Sequence, residues 1–131
     1  MTAIILHDLG SRRESRAWFA TAARAAAVSG DQQLHAWVLA REAMVPLNYG
    51  APRAATSLAE QARRIAGTRP TAAAVLAAAV AARAYALNHQ PKQARAALEA
   101  ASALMDRLPE GERSDTWLTY GEQKHPRPPG R

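Results

Sequence analysis

Cysteine is absent from this 131-residue chain, and aromatic residues make up only 5% of it. The lack of cysteine excludes disulfides, thiol catalysis and thiolate metal sites. Alanine, by contrast, occurs 33 times. It favours helix because it loses no side-chain entropy there, whereas strands need branched or aromatic side chains. The composition therefore predicts an all-α protein, long enough for one compact domain or a few helical repeat units.

Long apolar runs are also missing. The longest uncharged stretch with a helical pattern, residues 70–82, is too short to span a bilayer, which needs about 20 apolar residues. The first residues, "MTAIILHDLGSRRESR", contain a short apolar run with no basic segment before it. We therefore expect no signal peptide and predict a cytoplasmic protein without membrane contact.

Acidic residues are fewer than basic ones, 11 against 17, which gives a formal net charge of +6. Such an excess attracts nucleic acid or other acidic partners. Part of it lies in the terminal "KHPRPPGR", and the remaining arginines are spread along the chain as on an ordinary solvated surface. Nucleic-acid binding is therefore an alternative that the charge alone does not favour.

Periodicity and stop signals predict five main helices plus a short C-terminal one. Asp31 is expected to cap the second helix, and Pro52 and Pro91 to begin the third and fifth. Pro46 is expected to kink the second helix or end it early. The five main helices are predicted to cover approximately residues 12–29, 32–48, 52–66, 71–88 and 91–107.

Burial is predicted from the same patterns. The fourth helix has no charge on any face from residue 71 to residue 82, so we expect it to be the central and most buried one. Trp18 in the first helix and Leu98 in the fifth are expected to face the core, because both fall on apolar stripes with helical spacing.

The chain is predicted to divide into four parts. These are a lead-in over residues 1–11, a helical repeat domain over 12–111, a short helix or capping segment over 112–124, and a disordered proline-rich tail over 125–131. Trp117, Leu118 and Tyr120 are expected either to cap the last hairpin or to meet a second copy. We predict that the chain self-associates, with a homodimer as the possible form.

Two stretches of the chain have similar sequences, "LNYGAPRAATSLAEQA" from residue 47 and "LNHQPKQARAALEAA" from residue 87. Aligned on their prolines, Ala55 matches Ala94 (94 − 55 = 39) and Ala62 matches Ala101 (101 − 62 = 39). Each copy reads as a helix, a tight turn, and a second helix opening with Ala-x6-Ala. Helical-hairpin repeats have periods of about 34 to 47 residues, so the spacing indicates two such hairpins.

This pattern resembles the tetratricopeptide repeat, whose second helix carries the Ala-x6-Ala pair and whose first helix has an aromatic residue nine positions before it. Tyr85 holds that place in the second copy, whereas Pro46 stands there in the first. The consensus Gly-Asp turn is replaced by Gly50-Ala51 and by Gln90. The resemblance implies antiparallel helical hairpins. The helix predicted over residues 12–29 would then be the second helix of an earlier hairpin.

A narrower resemblance rests on "SGDQQLHAWVLAREAMVPLNYGAP", "AARAYAL" and "SDTWLTYGEQK". These segments are similar to the tetratricopeptide-like C-terminal region of actinobacterial helix-turn-helix transcriptional regulators of the Xre type, over about residues 12–124. The resemblance implies a regulatory module that binds a protein or peptide. In those regulators the DNA-binding domain lies upstream, and no residues here match it, so DNA binding is not implied.

In tetratricopeptide repeats the first helix of each hairpin lines a concave groove, which implies a groove formed by the second and fourth helices here. Trp37 and Met44 offer apolar contact, and Arg83 and Asn48 could hold a carboxylate or a peptide backbone. The residues expected to bind in this groove are Trp37, Arg41, Met44, Asn48, Leu76 and Arg83.

Patterns that carry catalysis are not found. The four histidines lack metal-ligand spacing, the glycines form no phosphate loop, and no Gly-x-Ser-x-Gly elbow occurs, so we predict no catalytic residue, metal or cofactor. Glu42, beside Arg41, leaves a further alternative: a small helical enzyme or small-molecule receptor with a pocket between the second and fourth helices. The favoured interpretation is a non-enzymatic module that binds a protein or peptide.

Overall fold

A computed structural model of the chain describes the backbone of residues 2–109, and the side chains of Glu14 and of residues 17–109. Within residues 2–109 the chain forms five α-helices and no strand, which confirms the predicted all-α class. None of these helices is long and apolar enough to cross a membrane. The predicted short helix after residue 111 lies outside the described residues. The helices are α1 (Thr2–Ser29), α2 (Gln32–Asn48), α3 (Pro52–Ala66), α4 (Ala72–Leu87) and α5 (Pro91–Arg107).

Local sequence signals explain where most of these helices begin. Asp31 caps α2 as predicted, since its Oδ1 accepts a hydrogen bond of 3.0 Å from the backbone N–H of Leu34. Pro52 and Pro91 occupy the first positions of α3 and α5, where a proline forfeits no hydrogen bond.

The start of α1 differs from the predicted bounds, and Pro46 does not act as an early stop in α2. Helix α1 begins at Thr2 rather than near residue 12, so the lead-in is part of the same helix; the single Gly10 costs a helix only about 1 kcal/mol. Helix α2 runs through Pro46 to Asn48 and does not end early. Proline removes one N–H donor, but its carbonyl still accepts a 2.8 Å hydrogen bond from Ala51, which closes the last turn.

Each helix packs against the next one in the chain, and α2 also packs against α4. Helix α4 therefore lies between α2, α3 and α5, and most of its residues are buried, as its lack of charge predicted. The core between these helices consists mainly of alanine. Such small side chains let helix axes approach closely.

Trp18 and Leu98 do not lie in the core, so both of these burial predictions are wrong. Trp18 is 63% exposed and contacts Phe19 edge to face, with ring centroids 4.9 Å apart. Helix α1 packs chiefly against α2, which leaves much of its surface to solvent. Leu98 is 60% exposed because α5 buries its alanines, Ala97 and Ala101, instead.

The α2–α3 and α4–α5 turns close in the same way. Gly50 has φ 80° and His89 has φ 61°, both in the left-handed region. In each turn the next N–H reaches back to the helix, from Ala51 to Pro46 O at 2.8 Å and from Gln90 to Tyr85 O at 2.9 Å. This is the Schellman arrangement that ends helices. Glycine adopts it freely, whereas a histidine there is strained by about 1–2 kcal/mol.

The α3–α4 turn is held by a glutamine from α2. The Gln33 Nε2 donates to the carbonyl of Ala66 at 3.1 Å, and its Oε1 accepts from the Thr71 hydroxyl at 2.6 Å. The Thr71 oxygen also accepts from the N–H of Ala74 at 3.1 Å and so caps α4. One buried hydroxyl therefore ties three helices together.

Replacing Thr71 with alanine should lower the free energy of unfolding by about 1–2 kcal/mol, because the helix cap and the partner of Gln33 are both lost. Urea denaturation measures the change. Thr68→Ala is the matched control, since Thr68 is an exposed threonine of the same turn; it should change stability by less than about 0.5 kcal/mol. Equal effects of the two substitutions would contradict the assignment.

Exchanging the two left-handed residues should move stability in opposite directions. His89→Gly is expected to stabilise the protein by up to about 1 kcal/mol, because strain is relieved and part of the gain is offset by the freedom of glycine in the unfolded chain. Gly50→His should destabilise it by a similar amount through the backbone alone, since a Cβ there meets no atom within 4 Å. Thermal or urea unfolding of both variants gives the signs, and a loss of stability in His89→Gly would refute the strain.

Candidate functional site

A groove of about 450 Å³ lies between α2, α4 and α5. Apart from Arg41, Arg83, Ser102 and Asp106, every side chain that lines it is apolar. The lining residues are Trp37, Arg41 and Met44 of α2; Val75, Leu76, Ala79, Val80, Ala82 and Arg83 of α4; and Leu98, Ala101, Ser102, Met105 and Asp106 of α5.

Of the six residues predicted to bind in a groove, five line this one: Trp37, Arg41, Met44, Leu76 and Arg83. Asn48 does not, because it is the last residue of α2 and lies exposed at the end of that helix. The structure thus brings the five side chains together on one surface, while their role in binding stays a prediction. Trp117, Leu118 and Tyr120, predicted for capping or self-association, lie outside the described residues.

Helical spacing explains how α2 and α4 present these side chains. Trp37, Arg41 and Met44 are spaced four and three residues apart on α2. Leu76 and Arg83 are seven residues apart on α4, which is about two helical turns, so each set follows one face of its helix. Because α2 and α4 pack against each other, the two faces adjoin. Together they form the floor and one side of the groove.

A further wall comes from α5, a helix that the sequence did not place at the groove. Leu98, Ser102 and Met105 have the same spacing of four and three residues on α5, which was the available signal. Leu98 was instead assigned to the core. The neighbouring Ala97 and Ala101 are buried, and a residue next to Ala97 points about 100° away from it. The apolar wall therefore stands beside the buried stripe of α5.

Three charged side chains border the apolar surface. The guanidinium carbon of Arg41 lies 6.0 Å from the centroid of the Trp37 ring, within the range of a cation–π contact. Arg83 is exposed on α4, and Asp106 is exposed on α5. The groove thus has an excess of positive charge, with Arg83 reaching solvent from an otherwise buried helix.

The described residues contain no candidate metal site, and the acid considered for an enzyme does not line the groove. Among the described residues, no three histidine, aspartate or glutamate side chains lie close enough to hold a metal ion. Glu42, the acid considered for an enzyme, is partly buried on α2 and is not one of the groove-lining residues. Trp37, Arg41 and Arg83 do line the groove. The groove therefore offers apolar and cationic contacts, and the carboxylate of Glu42 is not among its lining groups.

A polar cluster links α3 to α4 on a different face of α4. The Tyr85 hydroxyl donates to Glu60 Oε2 at 2.5 Å, and Arg63 Nη1 lies 3.1 Å from the same oxygen. Burial, then the hydrogen bond and charge of Glu60, raise the pKa of Tyr85 from 10.0 to about 12, while the charge of Arg63 acts in the opposite direction. The cluster stabilises the α3–α4 contact and lies outside the groove.

No protein-family model, no curated protein and no solved structure matches this chain. The tetratricopeptide-like and Xre-related resemblances accordingly stay predictions from the sequence. The function has to be inferred from the geometry of the groove and from the repeated features of the two hairpins.

The Tyr85–Glu60 contact predicts a change of stability at alkaline pH. The folded state favours the neutral phenol, so this contribution is complete below pH 10 and is lost as the pH rises through about 12. A spectrophotometric tyrosinate titration of the native protein minus that of Tyr85→Phe should show a midpoint near pH 12. Glu60→Gln should move the midpoint towards 10, because it removes the negative charge. A wild-type midpoint already near 10 would contradict the contact.

Proposed function

We propose that the chain is a non-enzymatic helical-hairpin repeat module that binds a helical segment of a protein or peptide partner in the groove between α2, α4 and α5. One observation carries the proposal. Five residues chosen from the sequence as a binding surface, on two helices, line a single apolar groove that a third helix completes. A regulatory role, as in Xre-type transcriptional regulators, is part of the proposal and rests on the sequence resemblance alone.

The repeat itself is supported by features that recur after 39 residues. Pro52 and Pro91 begin the second helix of each hairpin, and Gly50 and His89 take the same left-handed turn conformation before them. The first helices of the two hairpins, α2 and α4, pack against each other. Side-by-side packing of successive hairpins is how helical repeat proteins bury their faces and build extended binding surfaces. We therefore propose a tetratricopeptide-like stack, with α1 as part of a preceding unit.

The chemistry of the groove favours an amphipathic helix as the occupant. Helices that dock in grooves insert apolar side chains spaced at i, i+3 or i+4, and i+7. Met44 and Met105 line the groove on opposite helices, and methionine adapts to differently shaped apolar partners. Arg41 and Arg83 would pair with carboxylates beside the apolar face of the partner. The preferred ligand is thus an apolar helix face flanked by Asp or Glu.

A small apolar molecule is the second candidate, because about 450 Å³ lies within the range of about 300–1,000 Å³ that ligand pockets occupy. The indole of Trp37 and the apolar floor suit such a ligand. Nucleic acid, the remaining alternative, has the net charge of +6 as its support. Neither alternative uses both the apolar lining from three helices and the arginines beside it as directly as an amphipathic helix does.

Selection of displayed helical peptides on the full-length chain tests the proposal. Enriched peptides should carry the apolar spacing and acidic flanks described above, and Trp37→Ala with Arg83→Ala should weaken their binding by about tenfold or more. The matched control is Trp18→Ala with Arg64→Ala, which removes an exposed tryptophan and an exposed arginine outside the groove. The control should bind as the unchanged chain does.

Two outcomes of the peptide selection would contradict the proposed groove. Equal loss of binding in the groove and control variants, or no enriched peptide, would refute the helix-binding groove. A tagged pull-down split into nuclease-treated and untreated halves then separates the alternatives. Binding that disappears with nuclease and weakens steeply with salt indicates nucleic acid, whereas binding that survives nuclease indicates protein.

A further inference from the structure

The wall that α5 contributes to the groove corresponds to a surface that the first hairpin keeps buried. With the 39-residue shift of the proposed repeat, Leu98 of α5 corresponds to Ala59 of α3 (98 − 59 = 39), and Met105 to Ala66 (105 − 66 = 39). Ala59 is fully buried and Ala66 is buried, whereas Leu98 is 60% exposed and Met105 is only partly buried. In the first hairpin α3 packs against both α2 and α4, and Ala66 belongs to a buried cluster that includes Ala73 and Ala74 of α4. The second hairpin presents the equivalent surface without a described helix over it.

The chain continues beyond α5 from the place where a helix covering Leu98 and Met105 would start. Helix α5 ends at Arg107, next to the groove-lining Met105 and Asp106, and the following Leu108 is buried. Residues 110–131 come directly afterwards. A segment beginning there needs only a short turn to reach the groove, as α4 needs only five residues after α3.

The side chains of that segment match the pattern by which α4 covers the first hairpin. Under the same shift, Trp117 corresponds to Ala78 (117 − 78 = 39) and Tyr120 to Ala81 (120 − 81 = 39). Ala78 and Ala81 are both buried in α4. A helix over residues 112–121, within the segment predicted as a short helix or cap, would therefore direct Trp117 and Tyr120 to the covered side.

Charge supports the same placement. Residues 110–122 contain four acidic residues and one basic residue, and the groove contributes Arg41 and Arg83 against Asp106. The segment is thus an acidic stretch with an apolar face, which is the kind of ligand that the groove itself favours.

We propose that residues 112–121 occupy the groove of their own chain, with Trp117 and Tyr120 against the wall of Leu98 and Met105. This inference rests on the repeat proposed above, and it means that an external partner must displace the segment. An own-chain occupant is favoured over a second copy because a short connection holds the segment at a millimolar effective concentration. A second copy at micromolar concentration competes poorly with that.

Thiol labelling of the full-length chain tests the placement. Because the chain has no cysteine, Leu98→Cys introduces a single thiol in the groove wall. Leu87→Cys is the matched control, since Leu87 is 52% exposed and is not a groove-lining residue. The Leu98→Cys thiol should react about tenfold more slowly than the control, as protection by a covering segment requires.

The protection should depend on the segment. Trp117→Ala with Leu118→Ala and Tyr120→Ala should bring the Leu98→Cys rate up to that of Leu87→Cys and leave the control rate unchanged. Arg83→Glu, a change at an exposed residue, gives a second test that does not touch the segment. It should also speed labelling of Leu98→Cys, because the new glutamate and the acidic residues of the segment repel each other.

Equal labelling rates of the two thiols in the otherwise unchanged chain would overturn the proposal. Protection that increases with protein concentration would also overturn it, because that result assigns the groove to a second copy. Protection that survives both the triple alanine change and Arg83→Glu would show that something other than the segment covers Leu98. No partner is present in this assay, so its outcome is independent of whether the displayed peptides bind.

Discussion

The contact between α4 and its neighbours through alanine is the constraint on which the other features of the structure depend. Ala40 on α2, Ala59 and Ala62 on α3, and Ala77 and Ala81 on α4 are all fully buried. Small side chains bring helix backbones close together, and dispersion then adds up over many short contacts. Each alanine removes little apolar area from water, so no single residue dominates the core. Polar ties between helices, such as the hydroxyl of Thr71 with Gln33, fix a register that alanine alone would specify poorly.

The same constraint creates the groove. An interior filled by alanine leaves little room for large side chains between α4 and its neighbours, so large apolar residues such as Leu98, Met105 and Trp37 lie at the edges of the helix contacts. Contiguous apolar surface on the outside of a protein marks a place for something to bind. The groove is therefore a consequence of how the core is packed, and altering the alanines of α4 would change both.

The sequence predicted the helices well because their ends depend on local chemistry. The Asp31 cap and the prolines that begin α3 and α5 act within a few residues. The uncharged stretch of α4 is also a local feature, and it predicted that this helix is buried. Five of the six residues that the proposed repeat predicted for a groove line one groove in the structure, because a repeat relates positions that are distant in the sequence; their role in binding stays a prediction. The prediction from the sequence failed for Leu98 because hydrophobicity favours burial of leucine, whereas α5 buries the stripe of Ala97 and Ala101. Which stripe is buried depends on the helices that pack against α5, and this is a property of the assembled structure.

In the proposed stack of hairpins, the apolar edge at α5 is either covered by the chain itself or used to bind a partner. If the segment after α5 occupies the groove, a partner binds only to the fraction of molecules in which the segment is displaced, so its apparent affinity falls by that fraction. The effect is thermodynamic and needs no change of shape in α2, α4 or α5. Acidic residues in the segment and arginines in the groove would also make the open fraction rise with salt, because screening weakens exposed ion pairs. The apolar wall of α5 would then determine both how well the end of the domain is covered and how strongly a partner must bind to displace the cover.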